Sequence, residues 1–431
     1  MKNKSKIVIW AASLLIISLT IVFGVLNRNT EKISPVNSNN IVTSENKETD
    51  SKNSQKYEET TIKIGTVGDI LIHSPIFRSV YDSASDSYDF NDIFKYVKDV
   101  YSSYDLMVAD LEQPLGGKEK GYSGFPLFNA PDSIADALKN NGVDLLLTAN
   151  NHCYDQSSDG FYRTMSVLKE KQIDFIGTRE KESKPYIIKD ISGIKVGMIN
   201  YTYETEALTD TTYVNGIPMN SETSPLLNSF NYNNLDKFYT EFKTNMDSMY
   251  ADGADVIIAF MHWGEEYSLS ANDYQKKIAQ KLCDFGVDAI IGGHTHCIEP
   301  TDLITSQVSG KQTPIIYSLG NQLSNQRKET LSKFSYDSPY FEDGVIYEVS
   351  FTRKADGSVV LSDVSYTATW CNLFDTQYRI IPLDDEHKSA VAHLGRTSEM
   401  QNSLKRTKGL LDKGIEKFKN EYKQIDLRKN K

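Results

Sequence analysis

Residues 287–296 read VDAIIGGHTH, a buried-strand pattern that ends in two glycines and two histidines. The part from 287 to 291 has the length and apolar content of a strand inside an α/β sheet. Gly292 and Gly293 let the backbone bend, so that His294 and His296 can both point inward from one short loop. This stretch predicts a sheet strand that presents ligand-type side chains at its end.

The same pattern of buried strands recurs along the chain, with amphipathic helices between them. Strands are predicted at 62–67, 106–109, 143–148, 195–200, 256–261, 287–291 and 314–318. Helices are predicted at 133–141, 160–171, 235–251 and 273–285, with Asp132 as the cap of the first. This alternation predicts a layered α/β fold. A period-two pattern at 345–351 and 359–366 predicts a β-hairpin that forms a second sheet face rather than a new domain.

Polar side chains follow five of the predicted strands. The segments are Gly68-Asp69, Asp110-Leu111-Glu112, Asn150-Asn151-His152 with Asp155, His262-Trp263-Gly264-Glu265-Glu266, and Gly292-Gly293-His294-Thr295-His296. In open α/β sheets the ligand site lies outside the carboxyl ends of the strands, so these segments should converge. A single histidine on a strand is usually a core residue, and a single aspartate after a strand is usually a cap. Five such segments together favour a functional site.

The side chains at these ends suit a divalent metal ion. Imidazole, carboxylate and amide oxygen groups are ligands of manganese, zinc or iron. A carboxylate such as Glu112 or Asp69 can bridge two ions, which can then clamp the attacking and leaving oxygens of a phosphoester. His152, with Asp155 nearby to orient it, is the candidate acid that protonates the leaving group.

Taken in order, these motifs resemble those of the CapA family, the poly-γ-glutamate capsule synthesis proteins. The resemblance also includes Tyr317-Ser318-Leu319-Gly320-Asn321 and covers roughly residues 62–321. The CapA family is similar to the calcineurin-like metallophosphoesterases, whose fold is a four-layer αββα sandwich with a two-metal site. By that resemblance the metal ligands are Asp69, Glu112, Asn151, His262, His294 and His296, the catalytic residues are His152 and Asp155, and the substrate contacts are Trp263, Glu265, Glu266 and Asn321.

The chain departs from the metallophosphoesterase pattern at two positions. Those enzymes have an Asp-x-His sequence at the first strand end, whereas Asp69 is followed by Ile70 and Leu71, and the next histidine is His73. The second-strand carboxylate is Glu112, one methylene longer than the usual aspartate. We therefore expect one tightly held ion and a second that is labile or absent.

The N-terminal segment predicts membrane attachment. Lys2, Lys4 and Lys6 precede Ile7–Leu26, a run of 20 residues without a charge. As a helix this run is about 30 Å long, enough to cross a bilayer. The positive-inside rule then keeps the N-terminus in the cytoplasm and sends the body outside. A cleaved signal peptide is the alternative, although 20 residues exceed its usual apolar core and no small-x-small site precedes Asn27.

Composition and charge exclude other classes of protein. The 431 residues include 47 Lys plus Arg and 58 Asp plus Glu, a net charge of −11, which disfavours nucleic acid as the main partner. The four cysteines form no CxxC pair or dense framework, and whether Cys153 and Cys297 form a disulfide is left open.

The patterns divide the chain into four parts. Residues 1–26 are the cytoplasmic start and membrane anchor, 27–60 a polar flexible linker, 61–382 the CapA-like domain, and 383–431 a basic, partly helical tail. The tail has an apolar stripe, through which we expect it to dock on the body. The alternative is that the basic tail contacts anionic polymer or lipid head groups.

Three functions remain open. The first is a membrane-anchored extracellular protein of poly-γ-glutamate or capsule biosynthesis or export, whose partners are the anionic polymer and other capsule-synthesis membrane subunits. The second is a secreted metal-dependent phosphoesterase or nucleotidase. The third is a polymer-binding export component without catalysis.

Overall fold

A computed structural model of the protein describes residues 56–205, 211–385, 387, 391–394 and 396–424. The predicted membrane span Ile7–Leu26, most of the predicted linker and residues 425–431 lie outside these ranges. Within them, no helix has both the length and the apolar character needed to cross a bilayer.

Strands and helices alternate through the described chain, which confirms the α/β class. The strands are β1 Thr60–Ile70, β2 Tyr81–Asp82, β3 Ser87–Tyr88, β4 Leu106–Leu111, β5 Leu145–Leu147, β6 Asp174–Ile176, β7 Ile187–Ile191, β8 Ile194–Tyr203, β9 Tyr213–Val214, β10 Ile217–Pro218, β11 Ser229–Phe230, β12 Val256–His262, β13 Ala289–Gly293, β14 Ile298–Thr305, β15 Gln312–Leu319, β16 Asn321–Leu323, β17 Asp343–Arg353, β18 Val359–Phe374 and β19 Gln377–Pro382. The helices are α1 Ser74–Ser79, α2 Lys98–Tyr101, α3 Ser133–Asn140, α4 Ser157–Glu170, α5 Leu235–Ala251, α6 Asp273–Phe285, α7 Lys328–Leu331 and α8 Thr397–Glu421.

Two sheets contain most of the strands. The first has the order β19-β18-β17-β1-β4-β5-β6, and β16 also pairs with β1. The second has the order β11-β8-β12-β13-β15-β14, and β7 also pairs with β8. The predicted hairpin is β17 with β18, and β17 pairs antiparallel with β1. The hairpin predicted from the sequence is present, but it extends the first sheet and does not form a second sheet face.

An apolar core fills the space between the two sheets. Val108 of the first sheet and Val196 of the second both belong to it. Two further cores lie on the outer faces, where Leu138 of α3 packs on the first sheet and Phe242 of α5 and Leu282 of α6 pack on the second. Each sheet is thus covered on both faces, which explains why its central strands are apolar throughout.

The C-terminal helix α8 docks on the body through its apolar stripe. Leu411, Ile415 and Phe418 are buried in the core between the sheets. Gly414 lies so close to β14 that a Cβ atom there would come within 2.0 Å of the Thr301 carbonyl oxygen. This glycine therefore lets the helix approach the strand closely.

A buried ion pair joins α8 to β17. The Arg406 guanidinium donates two hydrogen bonds of 2.6 Å to the carboxylate of Asp343, which also accepts one from the Ser403 hydroxyl. Asp343 is almost fully buried. Burial raises the pKa of Asp343 to about 6, although Arg406 and Ser403 favour its ionised form.

Aspartates occupy the starts of several parallel strands, at the sheet edge opposite the polar strand ends. The carboxylates of Asp105, Asp144, Asp255 and Asp288 accept hydrogen bonds of 2.7–2.9 Å from the backbone N–H groups of Lys63, Met107, Lys195 and Ile257 on the neighbouring strands. They satisfy donors that the strand ladders leave free at this edge.

The prediction that Asp132 caps α3 is wrong. Asp132 has helical backbone angles, and its side chain makes no capping hydrogen bond in the described chain. Its carboxylate instead accepts two hydrogen bonds of 2.7 Å from the guanidinium of Arg163. A bidentate pair with arginine competes successfully with the single bond that a cap offers.

Candidate metal centre

The polar strand ends meet at one edge of the two sheets. β1 and β4 bring Asp69 and Glu112 from the first sheet, and β12 brings His262 from the second. His294 and His296 follow β13. These side chains are almost completely buried. The structure thus gathers residues that the sequence separates by more than 200 positions.

The gathered side chains form three groups that could each hold a metal ion, and two of them share one glutamate. The first group is Glu112, His262 and His294, the second is Asp69, Glu112 and His296, and the third is Asp69, Asp110 and His262. Within each group the ligand atoms lie within 4.8 Å of one another. Asn151 adds an amide oxygen to the first group, since its Oδ1 lies 2.7 Å from His262 Nε2. All six predicted metal ligands are therefore found together.

Unpartnered polar atoms show that these groups fit a divalent cation. Neither carboxylate oxygen of the fully buried Glu112 has a hydrogen-bond partner in the described residues, and the same is true of His294 Nδ1. His262 Nε2 and His296 Nδ1 lie 3.4 and 3.8 Å from the two Glu112 oxygens. A buried polar atom without a partner costs about 1–3 kcal/mol. An ion between these side chains would remove that cost.

The loop after β13 holds its two histidines in an unusual backbone conformation. The φ angles of His294 and His296 are 97° and 58°, in a region that costs about 1–3 kcal/mol for such residues. Asp69 stabilises both, because its carboxylate contacts the His294 backbone N–H at 3.2 Å and His296 Nδ1 at 3.1 Å. The backbone of Gly292 packs tightly, and a Cβ there would come within 1.9 Å of the Tyr317 carbonyl oxygen.

The three histidines differ in their protonation. Burial and the charges of His262 and His296 hold the pKa of His294 well below its usual range, so His294 is neutral and has a free lone pair. Burial opposes protonation of His262, but Asp110 and Glu112 outweigh it and raise its pKa to about 10. Burial likewise opposes protonation of His296, but the Glu112 and Asp69 carboxylates raise its pKa to about 9.

Metal binding should release protons and weaken as the pH falls. His262 and His296 are protonated at neutral pH in the metal-free protein, and each must lose a proton to bind an ion. Titration calorimetry with Mn²⁺ in buffers of different ionisation enthalpy should show about two protons released, and about one in His296→Gln. Heats that do not depend on the buffer would contradict this assignment.

The same pKa values set the pH dependence of the metal-free fold. The pKa values of His262 and His296 exceed the value of about 6.5 that histidine has in an unfolded chain. The stabilisation from the imidazolium–carboxylate contacts is therefore complete below pH 6.5 and is lost as the pH rises through 9 to 10.

Asp110 is a residue of the centre that the sequence reasoning did not select. Its Oδ2 lies 3.0 Å from His262 Nδ1, and its Oδ1 accepts a hydrogen bond of 3.0 Å from Asn150 Nδ2. Asp110 thus orients the His262 ring so that Nε2 faces Asn151 and Glu112. The period of two in a strand was an available signal, because it places residues 110 and 112 on one side.

The predicted acid pair lies beside the metal ligands. His152 Nδ1 is 2.7 Å from Asp155 Oδ2, and both residues are buried. The Phe128 backbone N–H also donates to Asp155 Oδ2, and the Phe128 ring packs edge-on against His152. Asn215 Nδ2 donates to Asp155 Oδ1 at 2.7 Å, a contact that no sequence pattern indicated.

Two of the four predicted substrate contacts have structural roles instead. Trp263 is fully buried, and its indole N–H donates to the Tyr317 carbonyl oxygen, so no substrate can reach it. Asn321 is also buried, with Nδ2 donating to the His296 carbonyl oxygen and Oδ1 lying 3.2 Å from His296 Nδ1. Asn321 therefore orients a ligand. Glu265 and Glu266 are exposed, and their contact with substrate stays a prediction.

His73 does not join any of the three ligand groups of the described residues. Its ring packs edge-on against Phe128, with the centroids 5.1 Å apart. Burial lowers the pKa of His73 to about 3, against a smaller opposite effect of the Leu71 carbonyl group. The group of Asp69, Glu112 and His296 has no additional histidine from the first strand end, as the departure from the Asp-x-His pattern indicates.

The cysteines beside the motif histidines form no disulfide. Cys153 and Cys297 are both buried free thiols, and so are Cys283 and Cys371. Burial raises the pKa of Cys153 to about 12. These thiols are therefore protonated and unreactive at neutral pH.

The part of the chain that carries the centre is similar to capsule synthesis proteins. Residues 63–326 match the family described as Bacterial capsule synthesis protein PGA_cap. The chain is 26% identical over 275 residues to the capsule biosynthesis protein CapA of Bacillus anthracis, covering 62% of this chain and 61% of that protein. It is 26% identical over 277 residues to the PGA biosynthesis protein CapA of Bacillus subtilis strain 168, covering 63% and 65%. Each match spans less than two thirds of the relative.

One solved structure aligns with a larger share of this chain. It is the Thermus thermophilus sulfate thiohydrolase SoxB in complex with glycerol, with a TM-score of 0.33 and 15% identity, over 69% of this chain and 42% of that one. A similarity at this level carries no argument about function.

Proposed function

The chain belongs to the family of bacterial capsule synthesis proteins described as PGA_cap, and from that membership we propose that it acts in making or exporting an anionic capsule polymer. The polymer class that we propose is poly-γ-glutamate, because the motif series resembles that of the CapA proteins. The activity that the geometry supports best is metal-dependent hydrolysis of the polymer or of its attachment.

The buried carboxylate of Glu112 carries the catalytic part of the proposal. It is shared by two of the three ligand groups, and both of its oxygens lack hydrogen bonds within the described structure. A carboxylate in this position suits a bridge between two ions of the metallophosphoesterase kind. A divalent ion of manganese, zinc or iron held there would supply Lewis-acid activation of a phosphoryl or carbonyl oxygen.

The proton for the leaving group is assigned to His152. Asp155 accepts the Nδ1 hydrogen bond of this ring, which leaves Nε2 for proton transfer to the substrate. Asp155 in turn is held by the Phe128 backbone N–H. These contacts support a general-acid role beside the ligand groups.

Hydrolysis by the full-length protein tests this assignment. His152→Gln should keep the bound metal and lose roughly 100-fold or more of kcat, the size of a general-acid contribution. The assay measures metal content, then turnover of phosphoesters and of γ-linked glutamate. The exposed His393 offers a matched control, because His393→Gln should change neither quantity. Retained metal without turnover of either substrate class by the unaltered protein would favour the polymer-binding function.

We propose a location outside the cell membrane, with Ile7–Leu26 as the anchor. The support is the sequence alone, in which three lysines precede an uncharged run of 20 residues. Protease added to intact protoplasts should remove the body and leave a short fragment in the membrane. Full protection of the body would reverse this topology.

A further inference from the structure

The tip of a small hairpin contacts the acid pair from a distant part of the chain. β9 and β10 pair around Asn215 and Gly216, whose φ angles are 49° and 70°. Two successive left-handed residues form the turn that suits a two-residue hairpin, and Asn-Gly is its preferred sequence. This turn lets the side chain of Asn215 reach Asp155 and His152.

Asn215 holds the carboxylate that contacts Nδ1 of His152. Nδ2 of Asn215 donates to Asp155 Oδ1 at 2.7 Å and lies 3.3 Å from the Pro126 carbonyl oxygen. Nδ2 also lies 3.3 Å from His152 Nδ1. An ionised carboxylate only accepts hydrogen bonds, so the 2.7 Å contact between Asp155 Oδ2 and His152 Nδ1 places a proton on Nδ1.

The carboxylate of Asp155 depends on Asn215 for its orientation. Oδ2 accepts hydrogen bonds from His152 and from the Phe128 backbone, whereas Oδ1 accepts one from Asn215. Loss of the amide would leave Oδ1 without that donor. The carboxylate would then be free to rotate, and the ring of His152 to exchange its tautomer.

The hairpin is anchored well enough to hold this position. Val214 is fully buried in an apolar cluster with Tyr154 and Phe161 of the neighbouring helix region. The Gly216 backbone N–H donates to the Thr205 hydroxyl at 2.9 Å. The turn therefore has contacts of its own on both sides of its tip.

We propose that Asn215 is a positioning residue for His152. It holds Asp155 so that Nδ1 of His152 keeps its proton and Nε2, which carries the proton that passes to the leaving group, faces the substrate. This role rests on the proposed function, in which His152 moves the proton of the leaving group.

Replacing Asn215 with glycine tests the role in the full-length protein. Glycine accepts the left-handed conformation, so Asn215→Gly keeps the turn and removes only the amide. We expect kcat to fall roughly 10-fold or more, as for the loss of other orienting partners, with KM within about twofold and metal content unchanged. In a His152→Gln background the same change should have no further effect.

The control and a second measurement separate positioning from general loosening. Asn220 contacts Ser158 and the following turn but not Asp155, so Asn220→Ala should leave kcat unchanged. Nitrogen-15 NMR of the histidine side chains reads the tautomer without any turnover. The unaltered protein should show His152 protonated on Nδ1, and Asn215→Gly a mixture.

The outcomes distinguish this inference from the proposed function. A tautomer change in Asn215→Gly without any hydrolysis by the unaltered protein would support positioning and reject the catalytic assignment. An unchanged tautomer with unchanged kcat would overturn the positioning role, and so would an equal loss of kcat in the His152→Gln background.

Discussion

Glu112→Gln should empty the metal centre while leaving the protein folded. Glu112 is the only residue common to the groups with His294 and with His296 among the described residues, so its loss affects both ion positions. Glutamine has the same shape, but its amide group carries no charge and turns two donors toward the ligand nitrogens. The metal affinity should fall by more than the roughly 10- to 100-fold typical of losing an orienting partner.

Metal analysis after dialysis measures this loss. Glu299→Gln is the matched control, because Glu299 is another fully buried glutamate, with one oxygen unpartnered in the described chain, and it lies outside the ligand groups. Glu299→Gln should retain the metal. Stoichiometric metal in Glu112→Gln would show that the shared carboxylate is not a ligand.

Arg406→Ala should lower the free energy of unfolding by about 3–5 kcal/mol, the usual cost of leaving one member of a buried ion pair. The change leaves the buried carboxylate of Asp343 without its charged partner, because Arg406 donates two hydrogen bonds of 2.6 Å to it. The effect should be larger at pH 8 than at pH 5. Burial already raises the pKa of Asp343 to about 6, so below that pH the carboxyl group takes up a proton and tolerates the loss.

Denaturant unfolding followed by tryptophan fluorescence measures this change. The exposed Lys405 on the same helix provides the control, since Lys405→Ala should stay within about 0.5 kcal/mol. Asp343→Asn combined with Arg406→Ala should recover part of the loss. Equal stability of Arg406→Ala and the unaltered protein at pH 8 would mean that the pair does not secure α8.

The sequence predicts which side chains gather at the candidate metal centre better than it predicts the residues that orient them. His262, His294 and His296 follow apolar strands, and parallel strand ends meet at one sheet edge, so a local pattern was enough. Asp110 and Glu112 stand at one strand end, and composition could not decide which one faces the ligand atoms. Asp110 contacts the His262 ring, whereas Glu112 belongs to two of the ligand groups.

Residues that act through distant contacts could not be predicted. Asn215 lies 60 positions from Asp155 in the chain, and only the folded hairpin brings them together. Trp263 follows a motif histidine, yet its indole N–H donates to the Tyr317 carbonyl oxygen and the ring lies in the core. A pattern of apolar positions predicts that a side chain is buried but does not predict its neighbour.

The apolar periodicity of the strands likewise could not predict which of the two sheets each strand joins. Strands of both sheets have apolar faces on both sides, so their sequences look alike. The apolar stripe of α8 indicated a docked helix, but not that Leu411 would complete the core between the sheets. Pairing is decided by contacts between segments far apart in sequence, and the four-layer arrangement was expected only from the family resemblance.

The two protons on His262 and His296 have a consequence for the order in which the protein matures. The two histidines belong to different ligand groups, so a divalent ion bound in either group would take the place of one proton. Before metal binds, the two protons offset part of the negative charge of the buried carboxylates, so the chain can fold without an ion. Metal loading can then follow folding, at a stage that is set by the local supply of ions and the local acidity.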